Sequence, residues 1–387
     1  MSANKYESEI CEIITSAARL TEVADILSGQ KEIAMDLEMD SLHHYREKVC
    51  LIQISTRFRT WLIDPLALDD LSPLAEPLSD PDILVVMHGA DYDIRSLHRD
   101  FGIEVKNLFD TMIAARFLGI PEFGLAALLR GRFGIELDKK YQKADWSRRP
   151  LSPEMTAYAA ADTSDLLPLY DQFRVELLQK GRLAWVEEEC LLICQARVTE
   201  KEGPLFLYCK GAGKLRGRTL AILENLLQLR DRQAKELDRP PFKVISAETL
   251  QEIAETAPRT ATELSRIKGM TPSQINRHGG AILQAVTLGI EMPEGKLPHF
   301  PRTQKNELVQ GSRERLKKLK QWREQRSAEL GLESGLLAPN WLLESAADFN
   351  PLTNSGVESI SGIRQWQKNL CADDIIKIAT ALTTGEE

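Results

Sequence analysis

The chain has 387 residues and an apolar fraction of 43%, too long for one ordinary core and too apolar for wholesale disorder, so two or three packed domains are expected. Its formal net charge of −8 argues mildly against a nucleic-acid partner, although local fields and bound cations outweigh a summed charge. No run of about 18 apolar residues offers a membrane span, and the polar, acidic start M-S-A-N-K-Y-E-S-E-I lacks the basic and apolar regions of a secretory leader, so a cytoplasmic protein without membrane contact is expected.

In chain order, short β-like runs fall at 32–37 (E-I-A-M-D-L), 50–55 (C-L-I-Q-I-S), 60–63 (T-W-L-I) and 83–87 (I-L-V-V-M), each bounded by polar or Pro/Gly punctuation. Helical patterns cover 108–118 and 153–179, so residues 1–190 are predicted to form an α/β domain with a mixed sheet covered by helices. After about residue 185 the strand signal disappears. Two helical blocks follow, placed at 210–291 and 303–387, with the Pro/Gly-rich stretch 292–302 between them as the predicted linker. L-R-D-R-Q-A-K-E-L (229–237) and W-R-E-Q-R-S-A-E-L (322–330) each precede a loop, a second helical stretch and an apolar-x-Gly-apolar step, I-K-G-M or I-S-G-I. The same order recurring at an offset of 93 residues reads as a tandem duplication of a small all-helical module. The six cysteines form no C-x-x-C pair; Cys190 and Cys194 lack further zinc ligands nearby, so buried free thiols are expected.

Acidic residues stand out at three places. Asp36 and Glu38, at i and i+2 on a predicted strand, point to one face. Two acids on one face repel unless a cation lies between them, although a solvated strand face explains the pair alone equally well. H-G-A-D-Y-D-I-R-S-L (88–97) follows a strand at the place where α/β proteins put their sites, and Asp91 or Asp93 could simply favour a helix N-terminus. By itself His88 reads as a hydrogen-bonded structural histidine rather than a base. Tyr158 and Asp162 in Y-A-A-A-D lie at i and i+4 on a helix that Ser152 and Pro153 open.

The order D-L-E, H-G-A-x-x-D, Y-x-x-x-D resembles the three motifs of the DEDD exonuclease superfamily, tyrosine subtype, and most closely the ribonuclease D family and its exosome-associated relatives. D-K-K-Y-Q-K-A-D-W-S-R-R-P-L (138–151) is similar to that family's D-K-x-x-Q-x-x-D-W-x-x-R-P-L, and the helical repeats resemble its tandem HRDC modules. The resemblance implies a ribonuclease H-like exonuclease domain followed by two all-α HRDC modules. It also implies a 3′–5′ exoribonuclease that releases nucleoside 5′-monophosphates. Asp36, Glu38, Asp93 and Asp162 would hold two divalent cations, Mg²⁺ or Mn²⁺, Glu38 would also touch the terminal 3′-hydroxyl, and Tyr158 would orient or help deprotonate the attacking water. Asp93 is preferred to Asp91 because it stands five residues after His88, as the family's acid does. Gln142, Lys139, Trp146, Met39 and His88 are the expected substrate contacts, Met39 standing where bacterial relatives carry an aromatic residue.

The basic residues of 128–149 (Arg130, Arg132, Lys139, Lys140, Lys143, Arg148 and Arg149) are expected either to form a phosphate-tracking wall or to be a solvated loop. The run R-E-R-L-K-K-L-K-Q-W-R (313–323) divides evenly between a solvated helix face and an RNA grip. The resemblance points to RNA with a free 3′ end, precursor tRNA foremost, cut by a monomer. The rivals are a DNA exonuclease of the same superfamily and a catalytically dead nucleic-acid-binding scaffold; a dead member would have lost a ligand, and all four acids are present.

Overall fold

Strands form here where apolar runs lie between polar breaks. The computed structural model describes residues 11–199, 202–301, 311–349 and 352–380. Six strands make one mixed sheet: β1 (Cys11–Ile14), β2 (Glu32–Met39), β3 (Val49–Ser55), β4 (Thr60–Ile63), β5 (Leu84–Met87) and β6 (Leu108–Asp110). Their order is β1-β4-β3-β2-β5-β6. β3 and β4 run antiparallel, with Gln53 opposite Leu62, while β1–β4, β2–β5 and β5–β6 are parallel. Every residue of β3 is buried, as befits a strand covered on both faces.

Seven helices matter to this sheet: α1 (Ala17–Ser28), α2 (Asp91–Phe101), α3 (Thr111–Leu118), α4 (Leu125–Phe133), α5 (Pro153–Ser164), α6 (Leu166–Gln179) and α7 (Leu183–Cys194). Two depart from the sequence pattern. The stretch 108–118 is not one helix, because Leu108–Asp110 adds to the sheet beside β5 and the helix begins only at Thr111. The Asp110 carboxylate stops it from starting earlier, since as N-cap it accepts the backbone N–H groups of Met112 and Ile113. The stretch 153–179 breaks at Asp165 into α5 and α6. Strand β1 is an addition to the sequence reading; four residues are too few to announce themselves.

The chain divides into two compact units. Among the described residues one is built from 11–38, 49–198, 311–349 and 352–380, the other from 39–48, 199 and 202–301. The first unit therefore contains the sheet and the second helical module, whose main helices are Ser312–Leu330, Asn340–Asp348 and Gln365–Thr380. That module is docked by specific groups. Trp366 is buried, stacks on Trp185 of α7 at 5.2 Å and meets Phe117 of α3 edge-on at 5.2 Å. Glu188 accepts the N–H groups of Gln365 and Trp366 at the start of the last helix, while Glu189 takes Arg364 and the Trp366 indole. Arg182 donates to the carbonyls of both Phe117 and Leu330. In the basic run, Arg315 turns inward to the Ala347 carbonyl and Arg323 to that of Ala338, so only part of that run is solvated.

In the second unit the helices Gly217–Glu236, Ala247–Thr256 and Pro272–Ile290 enclose a core of Leu220, Leu223, Leu226, Ile253, Ile282 and Val286. The 93-residue offset holds for the second and third helices of the two modules, which begin at 247 and 272 in one and at 340 and 365 in the other. Residues 39–48 belong to this unit: Tyr45 donates its hydroxyl to Asp231 and its N–H to Asp238. The predicted linker is not loose throughout, because Phe300 packs edge-on against Phe206 at 4.9 Å; residues 302–310 lie outside the described residues. No strand follows β6 among the described residues, and no helix there is long and apolar enough to cross a membrane.

Candidate active site

β2 carries Asp36 and Glu38 on one face, with Leu37 between them buried on the other. α5 lies across β3 and β4 and brings a third acid. Ser152 caps it by accepting from the Met155 N–H at 3.2 Å, and Pro153 occupies its first turn. Its packed side is held to the sheet by Ala159, which sits with Leu51, Leu62 and Trp146, and by Thr163, whose hydroxyl pairs with that of Ser55 at 2.7 Å. Tyr158 and Asp162 then face the acids of β2. One carboxylate oxygen each from Asp36, Glu38 and Asp162 can be chosen so that all lie within 4.8 Å of one another, the sole such metal-ligating cluster among the described residues.

These three acids and Tyr158 line a cavity of about 460 Å³, together with His88, Gly124, Leu125, Ala126, Ala127, Leu137, Asp138, Lys139 and Gln142. The size falls in the usual range of small-ligand sites. Burial is the first cause that pushes the Glu38 carboxyl up to about 9, with Asp162 and Asp93 adding repulsion. Asp36 is raised by burial and by Asp93, Asp162 and Glu38. Burial pushes Asp162 and Asp93 up to about 7. A cluster of hard oxygen donors that resists ionisation in the absence of cations is suited to divalent ions such as Mg²⁺ or Mn²⁺.

Asp93 is not in the group of three and does not line the cavity, yet it lies close enough to raise both Asp36 and Glu38. Asp91 is exposed and pairs with Arg95 one helical turn on, so the geometry separates the two candidates. The Tyr158 hydroxyl is pushed well above its ordinary value by burial and then by Asp162, Glu38 and Asp36. With the acids free of cations the hydroxyl keeps its proton, and it can both donate and accept a hydrogen bond.

Of the expected substrate contacts, His88, Lys139 and Gln142 line the cavity. Trp146 does not: its indole is buried behind Tyr158, ring centroids 5.9 Å apart, because the apolar residues Cys50, Leu51, Leu62 and Ala159 surround it. Met39, the last residue of β2, is not part of the lining either. The basic wall is mostly internal pairing. Arg132 pairs with Glu176, Arg149 grips buried Asp64 at 2.5 and 2.6 Å, Arg148 pairs with Asp145, and Arg130 stands 3.8 Å from Glu122. Lys139 is the one of the seven that reaches the cavity.

Two features escaped the sequence reading. Asp110 is buried at the end of β6, and besides capping α3 it accepts the N–H groups of Gly89 and Ala90 at 2.9 and 2.8 Å. Gly89 has φ +74°, a conformation that favours glycine, so Asp110 fixes the turn that launches α2 and Asp93. Its signal was an acid directly before a helix, F-D-T. The other feature is the start of α4, Gly124–Ala127, which faces the cavity; Gly before an apolar helical run was its only sign.

A mixed sheet of this order, with three clustered carboxylates and a tyrosine on its central strand and crossing helix, defines a ribonuclease H-like exonuclease domain. A family model for 3′–5′ exonuclease matches residues 11–178, and one for the HRDC domain matches 219–286 and 312–378. Ribonuclease D of Granulibacter bethesdensis is 30% identical over 382 residues, which is 97% of this chain and 93% of the relative. The chain belongs to the ribonuclease D family. The crystal structure of Escherichia coli RNase D, an exoribonuclease involved in structured RNA processing, superposes with a TM-score of 0.72 at 28% identity, covering 97% of this chain and 99% of that one. Mouse exosome complex component 10 is 38% identical over 259 residues, 64% of this chain; the chain spans 29% of that relative's length.

Proposed function

We propose that this protein is a 3′–5′ exoribonuclease that removes nucleoside 5′-monophosphates one at a time by two-metal-ion hydrolysis. The observation that carries the reading is the meeting of Asp36, Glu38 and Asp162, oxygens within 4.8 Å, beside Tyr158 in a cavity open to a small ligand. Asp36, Glu38, Asp93 and Asp162 would hold the cations; three of them meet within 4.8 Å, and Asp93 lies close enough to raise Asp36 and Glu38. Divalent cations bound there would activate water and offset the charge that builds on the scissile phosphate.

The chain's own groups do the rest. Tyr158 hydrogen-bonds the attacking water and so orients it or helps to take its proton. The water gives up one proton as its oxygen bonds to phosphorus, the bond from phosphorus to the 3′-oxygen breaks, and that oxygen takes up a proton from solvent, so the shortened chain leaves with a new 3′-hydroxyl. Glu38 accepts the terminal 3′-hydroxyl, which selects a chain end over an internal site. Lys139 and Gln142, on the cavity wall, reach phosphate and sugar. Trp146 acts from behind by fixing the Tyr158 ring.

The domain boundaries proposed are 1–190, 210–291 and 303–387, in a cytoplasmic monomer that acts on RNA with a free 3′ end, precursor tRNA foremost. The test is digestion of matched 5′-labelled RNA and DNA oligomers and a 3′-extended tRNA, with Mg²⁺, Mn²⁺ or chelator. A one-nucleotide ladder on RNA that chelator abolishes is expected. Faster cutting of DNA would move the reading to a deoxyribonuclease, and binding without cutting would make the protein a scaffold.

A further inference from the structure

His88 lines the cavity, and its ring is held in one protonation pattern by a chain of hydrogen bonds. The Thr111 hydroxyl donates its single proton to the Met87 carbonyl at 3.0 Å. Its oxygen, 2.9 Å from His88 Nδ1, is therefore left to accept, so Nδ1 carries the hydrogen. Burial holds the ring's pKa below the ordinary histidine range, against the pull of Asp110, and so favours the neutral form. A neutral ring protonated at Nδ1 has a lone pair on Nε2, and Nδ1 is turned to Thr111. What the cavity meets is an acceptor.

An acceptor excludes most of what an RNA end brings. Phosphate oxygens accept only, as do the ionised carboxylates around the cation site. Donors are sugar hydroxyls, base amino and ring N–H groups, and water. Position favours a sugar. β2 and β5 pair in parallel with Ala34 beside Val86, and His88, the first residue past the end of β5, lines the same cavity as Asp36. The groups that flank a phosphate held at Asp36 are riboses, not bases.

We propose that His88 accepts a hydrogen bond from a ribose 2′-hydroxyl at the RNA end and so contributes to the choice of ribose over deoxyribose; this rests on the exoribonuclease reading above. Thr111 is then a positioning residue, since it acts by fixing which nitrogen of His88 bears the hydrogen.

The experiment uses the full chain and three oligomers: all-ribose, with 2′-deoxyribose at the terminal nucleotide, and with 2′-deoxyribose at the penultimate one. kcat/KM is measured for each with Mg²⁺, and affinity for each is measured in chelator. The wild type should prefer ribose at one of the two positions by roughly threefold to tenfold, the weight of one ordinary hydrogen bond, and the position that shows it names the sugar. His88→Asn keeps a donor for Thr111 but has nothing in place of Nε2, and it should bring the ribose/deoxyribose ratio to about one in both rate and affinity. Thr111→Val, close to isosteric, should lower the ratio part of the way. A His88→Asn protein that slows all three substrates by the same factor would overturn the proposal in favour of a bond to the attacking water or a structural role. A wild type with equal rates on all three would overturn it too. A wild type that releases no nucleotide from any oligomer would instead sink the exonuclease reading, so the two failures are distinct.

Discussion

Asp162→Asn should make the cation-free protein more stable at alkaline pH, although it removes a proposed metal ligand. Burial raises the Asp162 carboxyl from its ordinary 3.8 to about 7. The folded value lies above the unfolded one, so the protonated form stabilises the fold at low pH, and that stability is lost as pH rises through the folded value. At roughly 1.4 kcal/mol per pKa unit, keeping Asp162 folded costs about 2 kcal/mol at about pH 5.5 and about 4 kcal/mol at about pH 8. Both are upper limits, because the neighbouring acids share their protons. Asparagine carries no such cost. The advantage of the variant should therefore grow by about 2 kcal/mol between the two conditions, roughly 4–8 °C in Tm for a domain of this size. The assay is thermal unfolding of both proteins in chelator at the two pH values. Adding Mg²⁺ should reverse the order, because only the wild type gains binding energy. A difference that does not change with pH, or a variant less stable than the wild type at about pH 8, would refute the reasoning.

Three further outcomes are expected. Asp93→Asn should abolish nucleotide release with folding intact, whereas Asp91→Asn, which loses only an exposed pair with Arg95, should leave turnover near normal; equal effects would remove the distinction between them. Tyr158→Phe should keep its packing against Trp146 and slow single-turnover cleavage by roughly a hundredfold, the usual effect of deleting one oriented donor, while metal affinity measured by calorimetry stays unchanged. An unchanged single-turnover rate would deny the hydroxyl its orienting role. Trp366→Ala empties a buried site between Trp185 and Phe117 and should destabilise the first unit by about 3–5 kcal/mol, read as a lower Tm and faster proteolysis. An unaltered Tm would mean that the second module does not brace the sheet-bearing body.

The acids were legible because each pair sits at a spacing that one secondary structure converts into a shared face: i, i+2 on β2 and i, i+4 on α5. Asp93 was separable from Asp91 only by its match to the family's acid five residues after His88, and the structure adds that Asp91 pairs with Arg95 one turn away. What escaped was whatever acts through the backbone or across long sequence separations. Asp110 works by receiving four backbone N–H groups, a role invisible in residue type. Arg132 and Arg149 looked available because their partners, Glu176 and Asp64, lie 44 and 85 positions away. Trp146 was expected to contact substrate because it falls in the motif matched to the family, yet residues of β3, β4 and α5 close over it. The docking of the second module follows from Glu188 and Glu189 meeting residues about 177 positions on, which no local pattern encodes.

The central claim is that clustered carboxylates hold cations that drive hydrolysis at a 3′ end. Its most direct test is product analysis of a 5′-labelled RNA oligomer digested with Mg²⁺ in ¹⁸O-enriched water. The expected product is a nucleoside 5′-monophosphate carrying one ¹⁸O in its phosphate per turnover, lost with chelator or with Asp162→Asn. Release of 3′-phosphate or cyclic products, or undiminished release in chelator, would contradict it.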